Sequence, residues 1–109
     1  MRKAKIFFKD KFAGILSEDE DGFHFRYDRE YLNSDKPQSI SLTLPLRVKV
    51  YNNNILHPFF DGLIPEGWLL DIAEKNWKIN SRDRMELLLA CCKDCIGAVS
   101  VEPLETQEL

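Results

Sequence analysis

Apolar and polar residues alternate through the first half of the chain, and the period lengthens in the second. In "KAKIFF" Ala4, Ile6 and Phe8 share one side, the polar "KDK" follows, and "FAGIL" resumes the apolar run. This reads as a hairpin with a short turn. Gly14, inside the second strand, predicts a bulge or a close backbone approach. After the acidic stretch "SEDEDG", expected to be a loop, "FHFRYD" carries the cleanest alternation. Phe23, Phe25 and Tyr27 fall on one face and His24, Arg26 and Asp28 on the other, the pattern of a half-buried antiparallel strand.

"REYLNSDKPQ" predicts a polar connection with one helical turn around Tyr31 and Leu32. In "SISLTLPL" Ile40, Leu42 and Leu44 alternate with Ser39, Ser41 and Thr43 until Pro45, which predicts another strand. "VYNNN" closes a shorter segment with turn formers. From Pro65 the period becomes helical. Leu69, Ile72, Ala73 and Trp77 lie near one stripe, with Pro65 and Glu66 suited to a first turn and Gly67 weakening it. Ser81 is a candidate N-cap, with Asp83 in the first turn, for a second helix carrying Met85, Leu88, Leu89 and Cys92 on one face. "IGAVSV" predicts a final strand, and the tail "PLETQEL" is expected to fray. Strands first, two helices late and one returning strand make an α+β protein with a mostly antiparallel sheet. We expect one domain over residues 1–109, ordered from about residue 3 to 104 with a tail at 105–109.

Composition narrows the function classes. With 44% hydrophobic and 30% charged residues the chain has a globular balance, and roughly 60–70% of its unfolded surface is expected to be buried. Fifteen Lys and Arg against 18 Asp and Glu leave a net charge of -3, which argues against direct binding to duplex DNA. No apolar run is long enough to span a bilayer, and "MRKAKIFFKDKF" lacks the apolar core of a signal peptide. Three cysteines crowded within "CCKDC" do not form a disulfide framework. A cytoplasmic location is the expectation.

Catalytic chemistry finds little support. Cys92 and Cys95 have CxxC spacing, but a structural zinc site takes four ligands and the histidines, His24 and His57, lie far off in sequence. A redox dithiol of the thioredoxin kind opens a helix, whereas this pair closes one. "FFDGL" is not a kinase motif without a glycine-rich loop and a catalytic loop, and no GxSxG elbow exists. The acidic run Asp19–Glu20–Asp21 is simplest as a solvated turn. We expect no enzyme, no metal and no cofactor.

The ordered series "FHFRYDREYL", "SISLTLPL", "PFFDGLIPEG" and "KDCIGAVSVEP" resembles the N-terminal subdomain of HipA-type serine/threonine kinases. Each motif alone is weak, but four in order over residues 3–104 are specific. Full-length HipA toxins continue from this subdomain into the ATP-binding and catalytic parts, and those residues have no counterpart here. A free-standing copy resembles HipS of the tripartite HipBST toxin–antitoxin systems. The resemblance therefore implies a non-catalytic antitoxin that binds a HipT-like serine/threonine kinase, with a HipB-like DNA-binding protein reached through the complex. A structural N-terminal subdomain cut from a longer HipA-type kinase would read the same. The start "MRKAKIFF" and the stop after the last strand lead us to expect a separate gene product.

Two departures from the family's pattern stand out. Cys92 precedes "KD" where glycine is usual, and Trp68 follows "PEG" where the family turns polar. Tryptophan dominates interface hot spots, and a turn stiffened by Pro65 lowers the ordering cost of binding. The candidate partner-binding residues are Ile64, Pro65, Glu66, Gly67 and Trp68. In one reading Trp68 enters a pocket on the kinase beside a polar contact from Glu66. In the other it packs at the rim of its own core against Ile72. Phe59, Phe60, Leu63, Ile64 and Trp77 are expected mostly in the core.

Overall fold

A computed structural model of the protein describes residues 2–64, 84–91 and 98–104. It is an α+β fold built on one five-stranded antiparallel sheet, with strand order β4-β3-β2-β1-β5. The strands are β1 (Arg2–Phe8), β2 (Lys11–Asp19), β3 (Gly22–Tyr27), β4 (Tyr51–Asn53) and β5 (Val99–Leu104). Among the described residues three helices accompany them: α1 (Arg29–Leu32), α2 (Pro58–Asp61) and α3 (Arg84–Cys91). The expected helix from Pro65 to Trp77, its neighbours Ser81 and Asp83, and Cys92 and Cys95 lie outside the described residues.

The first hairpin turns on Lys9 and Asp10, whose φ angles of 51° and 69° are both left-handed. Positive φ at both central residues is what a type I′ two-residue turn requires, and its twist matches the flanking strands. Beyond it Ile6 faces Gly14 while Phe7 faces Phe12, so Ala13 is an extra residue in β2. The Ala13 carbonyl accepts the Asp28 N–H at 2.7 Å, carrying the β2–β3 pairing one residue further. Gly14 sits where a Cβ would lie 2.4 Å from the Arg26 carbonyl oxygen and 2.9 Å from the Phe25 ring. Both the bulge and the close approach expected at this glycine are present.

Alternation sorts the sheet into two faces. Ala4, Ile6, Leu16, Phe25, Tyr27, Val99 and Val101 are buried on one, and Met85, Leu87 and Leu88 of α3 join the same core. Phe25 is the centre of an aromatic cluster, with ring centroids 4.9 Å from Tyr27, 5.4 Å from Phe60 and 6.5 Å from Tyr51. Such pairs add about 0.5–1.5 kcal/mol each beyond their buried area. Met85 and Leu88 are buried and Leu89 half-buried, as the helical stripe predicts; Leu87 is also fully buried, off that stripe.

Three boundaries differ from the sequence reading. "SISLTLPL" is not a strand: Ser41 and Leu44 close a tight turn, with Ile40 and Leu44 buried and Leu42 96% exposed. Ser41 Oγ accepts the Thr43 N–H at 3.1 Å, and such hydroxyl-to-backbone bonds favour a turn over a ladder. Ser17, Glu18 and Asp19 extend β2 rather than beginning an acidic loop, because each pairs with a residue of β3. Pro103 and Leu104 belong to β5, opposite Ala4 and Lys3. Proline is tolerated there because an edge strand does not need its N–H.

Candidate partner-binding surfaces

The stretch that precedes the candidate loop is a single helical turn with a defined start. His57 Nδ1 accepts the Phe59 N–H at 3.0 Å as N-cap, and Pro58 occupies the first turn. Burial pushes the His57 imidazole below its ordinary pKa, which keeps the ring nitrogen free to accept. Phe60 and Ile64, four residues apart, point into the core at 0% and 3% exposure, while Phe59 and Leu63 pack half-buried beside them. The expectation that this root is mostly core holds. Ile64 itself is seated among core side chains, anchored by its N–H to the Asp61 carbonyl at 3.2 Å. Pro65, Glu66, Gly67 and Trp68 lie outside the described residues, as does Trp77.

The described residues stop at Ile64 and resume at Arg84. Arg84 Nε donates to Asp61 Oδ1 at 2.6 Å, tying the start of α3 to the end of α2. Asp61 and Arg84, which precede and follow residues 65–83 in the sequence, are therefore held together. A half-exposed ion pair of this kind stabilises by less than about 1 kcal/mol, so its role is placement.

The turn at Ser41–Leu44 displays Leu42 on the surface. The Tyr27 hydroxyl accepts the Ile40 N–H at 3.0 Å and donates to the Leu44 carbonyl, pinning both flanks of the turn to β3. Burial pushes the Tyr27 phenol up to about 12, so it stays a donor throughout the physiological range. Tyr31, stacked on Tyr27 with ring centroids 6.1 Å apart, donates to the Gln38 carbonyl at 2.6 Å. Leu42 is thus held out from a rigid base. Alternation alone placed it with Ile40 and Leu44; the flanking hydroxyls and Pro45 were the signal against that.

Lys3, Lys5, His24 and Arg26 share the opposite face of the sheet, which none of the described helices covers. His24 places Nε2 2.9 Å from Asp19 Oδ1 and Nδ1 2.5 Å from Asn52 Oδ1. The Asp19 carboxylate, and secondarily Asn52, raises the His24 pKa, and the same pair with the Asp21 N–H lowers that of Asp19. Arg47 lies 3.6 Å over the Tyr51 ring and donates to the carbonyls of Lys49 and Val50, each at 3.1 Å. It shapes the segment that borders this face. Among the described residues no group of three His, Cys, Asp or Glu could hold a metal ion, and no helix is long and apolar enough to cross a membrane.

Comparison with known proteins places this architecture. The family model for the HipA N-terminal domain matches residues 4–102. A solved structure of the N-terminal domain of HipA toxin superposes with a TM-score of 0.75 at 29% identity, covering 98% of this chain and 96% of that one. A Haemophilus influenzae protein described as "Uncharacterized protein" is 32% identical over 102 residues, which make up 94% of this chain and 92% of the relative. "Putative kinase Y4mE" of Sinorhizobium fredii is 25% identical over 109 residues, 99% of this chain but 26% of that protein.

Proposed function

The chain belongs to the HipA N-terminal domain family, and from that premise we propose that it is a non-catalytic antitoxin that binds and restrains a HipT-like serine/threonine kinase. The observation that carries this reading is the two settings in which the domain occurs. It makes up nearly all of the Haemophilus influenzae relative and about a quarter of the Sinorhizobium fredii one. A domain that is fused to a larger body in one chain and nearly alone in another has a natural partner in the counterpart of that body. Contacts made within the fused chain then become contacts between chains.

In this proposal the segment after Ile64 makes the central contact. Trp68 enters a pocket on the kinase, Glu66 adds a polar contact, and Pro65 and Gly67 shape the approach. The pairing of Asp61 with Arg84 supports the idea, because it restrains the described residues on either side of this stretch and so lowers the entropy lost on docking. A HipB-like DNA-binding protein joins through the complex, consistent with the net charge of -3. The match to one quarter of a longer kinase favours a second reading, a structural N-terminal subdomain that supports assembly with such a DNA-binding protein.

Co-expression with a HipT-like kinase separates these readings. Wild type is expected to rescue growth and to co-purify with the kinase, and a still-folded Trp68→Ala is expected to lose both, since truncating a hot-spot tryptophan costs about 2 kcal/mol or more. Rescue by both proteins would retain the antitoxin and move the contact elsewhere. Failure of the wild type to bind or rescue would remove the antitoxin reading and leave the structural one.

A further inference from the structure

We infer that the sheet face bearing Lys3, His24 and Arg26 is a recognition groove for an acidic peptide segment of a partner protein. The register assembles it. Lys3 pairs with Ser17, which pairs with His24, so these three form one row across β1, β2 and β3. Lys5, Ile15 and Arg26 form the next row. The segment Val48–Val50 stands along one side, set there by the Arg47 bonds to its carbonyls. Two cavities of about 490 and 310 Å³ lie along this face and share Ile15, Arg26 and Val50, so they form one continuous groove. Each is of the size that holds a small ligand or a few side chains.

The charges lining the groove do not cancel. Lys3, Arg26, Arg29 and Lys49 contribute cations. The two carboxylates within it are already engaged. Asp28 accepts the Tyr31 N–H at 3.2 Å as the cap of α1, and Asp19 accepts from His24 and from the Asp21 N–H at 2.8 Å. His24, with oxygens facing both ring nitrogens, adds positive character at the far end. Glu102, opposite Lys5 on β5, flanks the face but does not line the cavities. In a chain of net charge -3 this is a local reversal of sign.

The occupant follows from the lining. Ile15, Val48 and Val50 interleave with the cations, which suits a segment whose side chains alternate between acidic and apolar. Nucleic acid fits less well, because a net acidic protein repels an extended phosphate backbone outside the groove. The inference is independent of whether the partner is the kinase, since it concerns only the chemistry this face accepts.

The test is a titration of the isotope-labelled full chain, followed by amide NMR shifts, with a short peptide alternating Glu and Val. Saturable shifts are expected at Ile15, Ser17, His24, Arg26 and Lys49. The Arg26→Glu/Lys49→Glu variant should bind roughly tenfold or more weakly while its spectrum shows the native fold, and Lys11→Glu, away from the groove, should bind as wild type. A matching Lys–Val peptide should not bind. No saturable shift at millimolar acidic peptide, shifts scattered over the surface, or tighter binding of a single-stranded oligonucleotide than of the peptide would each overturn the inference.

Discussion

Tyr27 shows how much one side chain organises. Its ring is buried against Phe25 and Tyr31, and its hydroxyl serves the backbone on both sides of the Leu42 turn. Replacing it with phenylalanine keeps the ring but leaves the Ile40 N–H and the Leu44 carbonyl without that partner. An abandoned buried polar group costs about 1–3 kcal/mol, so Tyr27→Phe is expected to lower unfolding stability by roughly 2–4 kcal/mol. Chemical denaturation measures this directly, and a loss below about 0.5 kcal/mol would mean water replaces the hydroxyl. Gly14 is the opposite case, a residue that matters for what it lacks, because the Arg26 carbonyl fills the space a Cβ would take.

Among the elements, the β1–β2 hairpin has the most local slack. Lys9 and Asp10 both hold left-handed φ, a conformation that costs a Cβ-bearing residue about 1 kcal/mol, less for Asp. Lys9 recovers little through its side chain, which reaches Gln38 at 3.4 Å and lies 5.4 Å over the Phe8 ring. The Lys9→Asn/Asp10→Gly variant supplies the preferred type I′ pair. It is expected to gain about 0.5–1.5 kcal/mol, read as a higher midpoint of thermal unfolding. A lower midpoint would show that the Lys9 side chain holds the turn against the 37–38 segment. The short helices depend on their caps instead: Asp28 opens α1 and His57 opens α2.

Over the whole molecule, the two histidines set opposite pH dependences. His24 has a raised folded pKa, so its contribution is full below its ordinary value of 6.5 and is lost as pH rises through the folded value. His57 has a lowered folded pKa, so its contribution is present above 6.5 and is lost as pH falls through the folded value. In the wild type the two partly cancel across neutrality. With His24→Gln, global stability should rise with pH through this range, and with His57→Asn, where asparagine still caps α2, it should fall. Denaturation midpoints on either side of neutrality check both signs, and identical slopes in the two variants would refute the assignment. Asp19, lowered chiefly by His24, adds stability above its ordinary 3.8 that is lost as acid protonates it.

The α+β class, the antiparallel hairpins, the bulge at Gly14 and the core faces of β1, β3 and α3 were legible along the chain. So was the core root formed by Phe60 and Ile64. These depend on periods of two and near four residues and on the backbone freedom of single residues, which are local properties. The exposure of Leu42 was not legible, because alternation reports which residues share a side only if a strand forms. The Tyr27 hydroxyl, thirteen residues before the Ile40 N–H it accepts, helps to decide that it does not. The groove was half legible: His24 and Arg26 stood on the polar face of a predicted strand, but nothing local brings Lys3, Arg29 and Lys49 to the same place. Sequence by itself therefore determined the strands of the first hairpin and β3, the helix α3 and their inner faces. Tertiary structure decided which charges meet and which apolar side chain is displayed, because both depend on pairings between residues far apart in the chain.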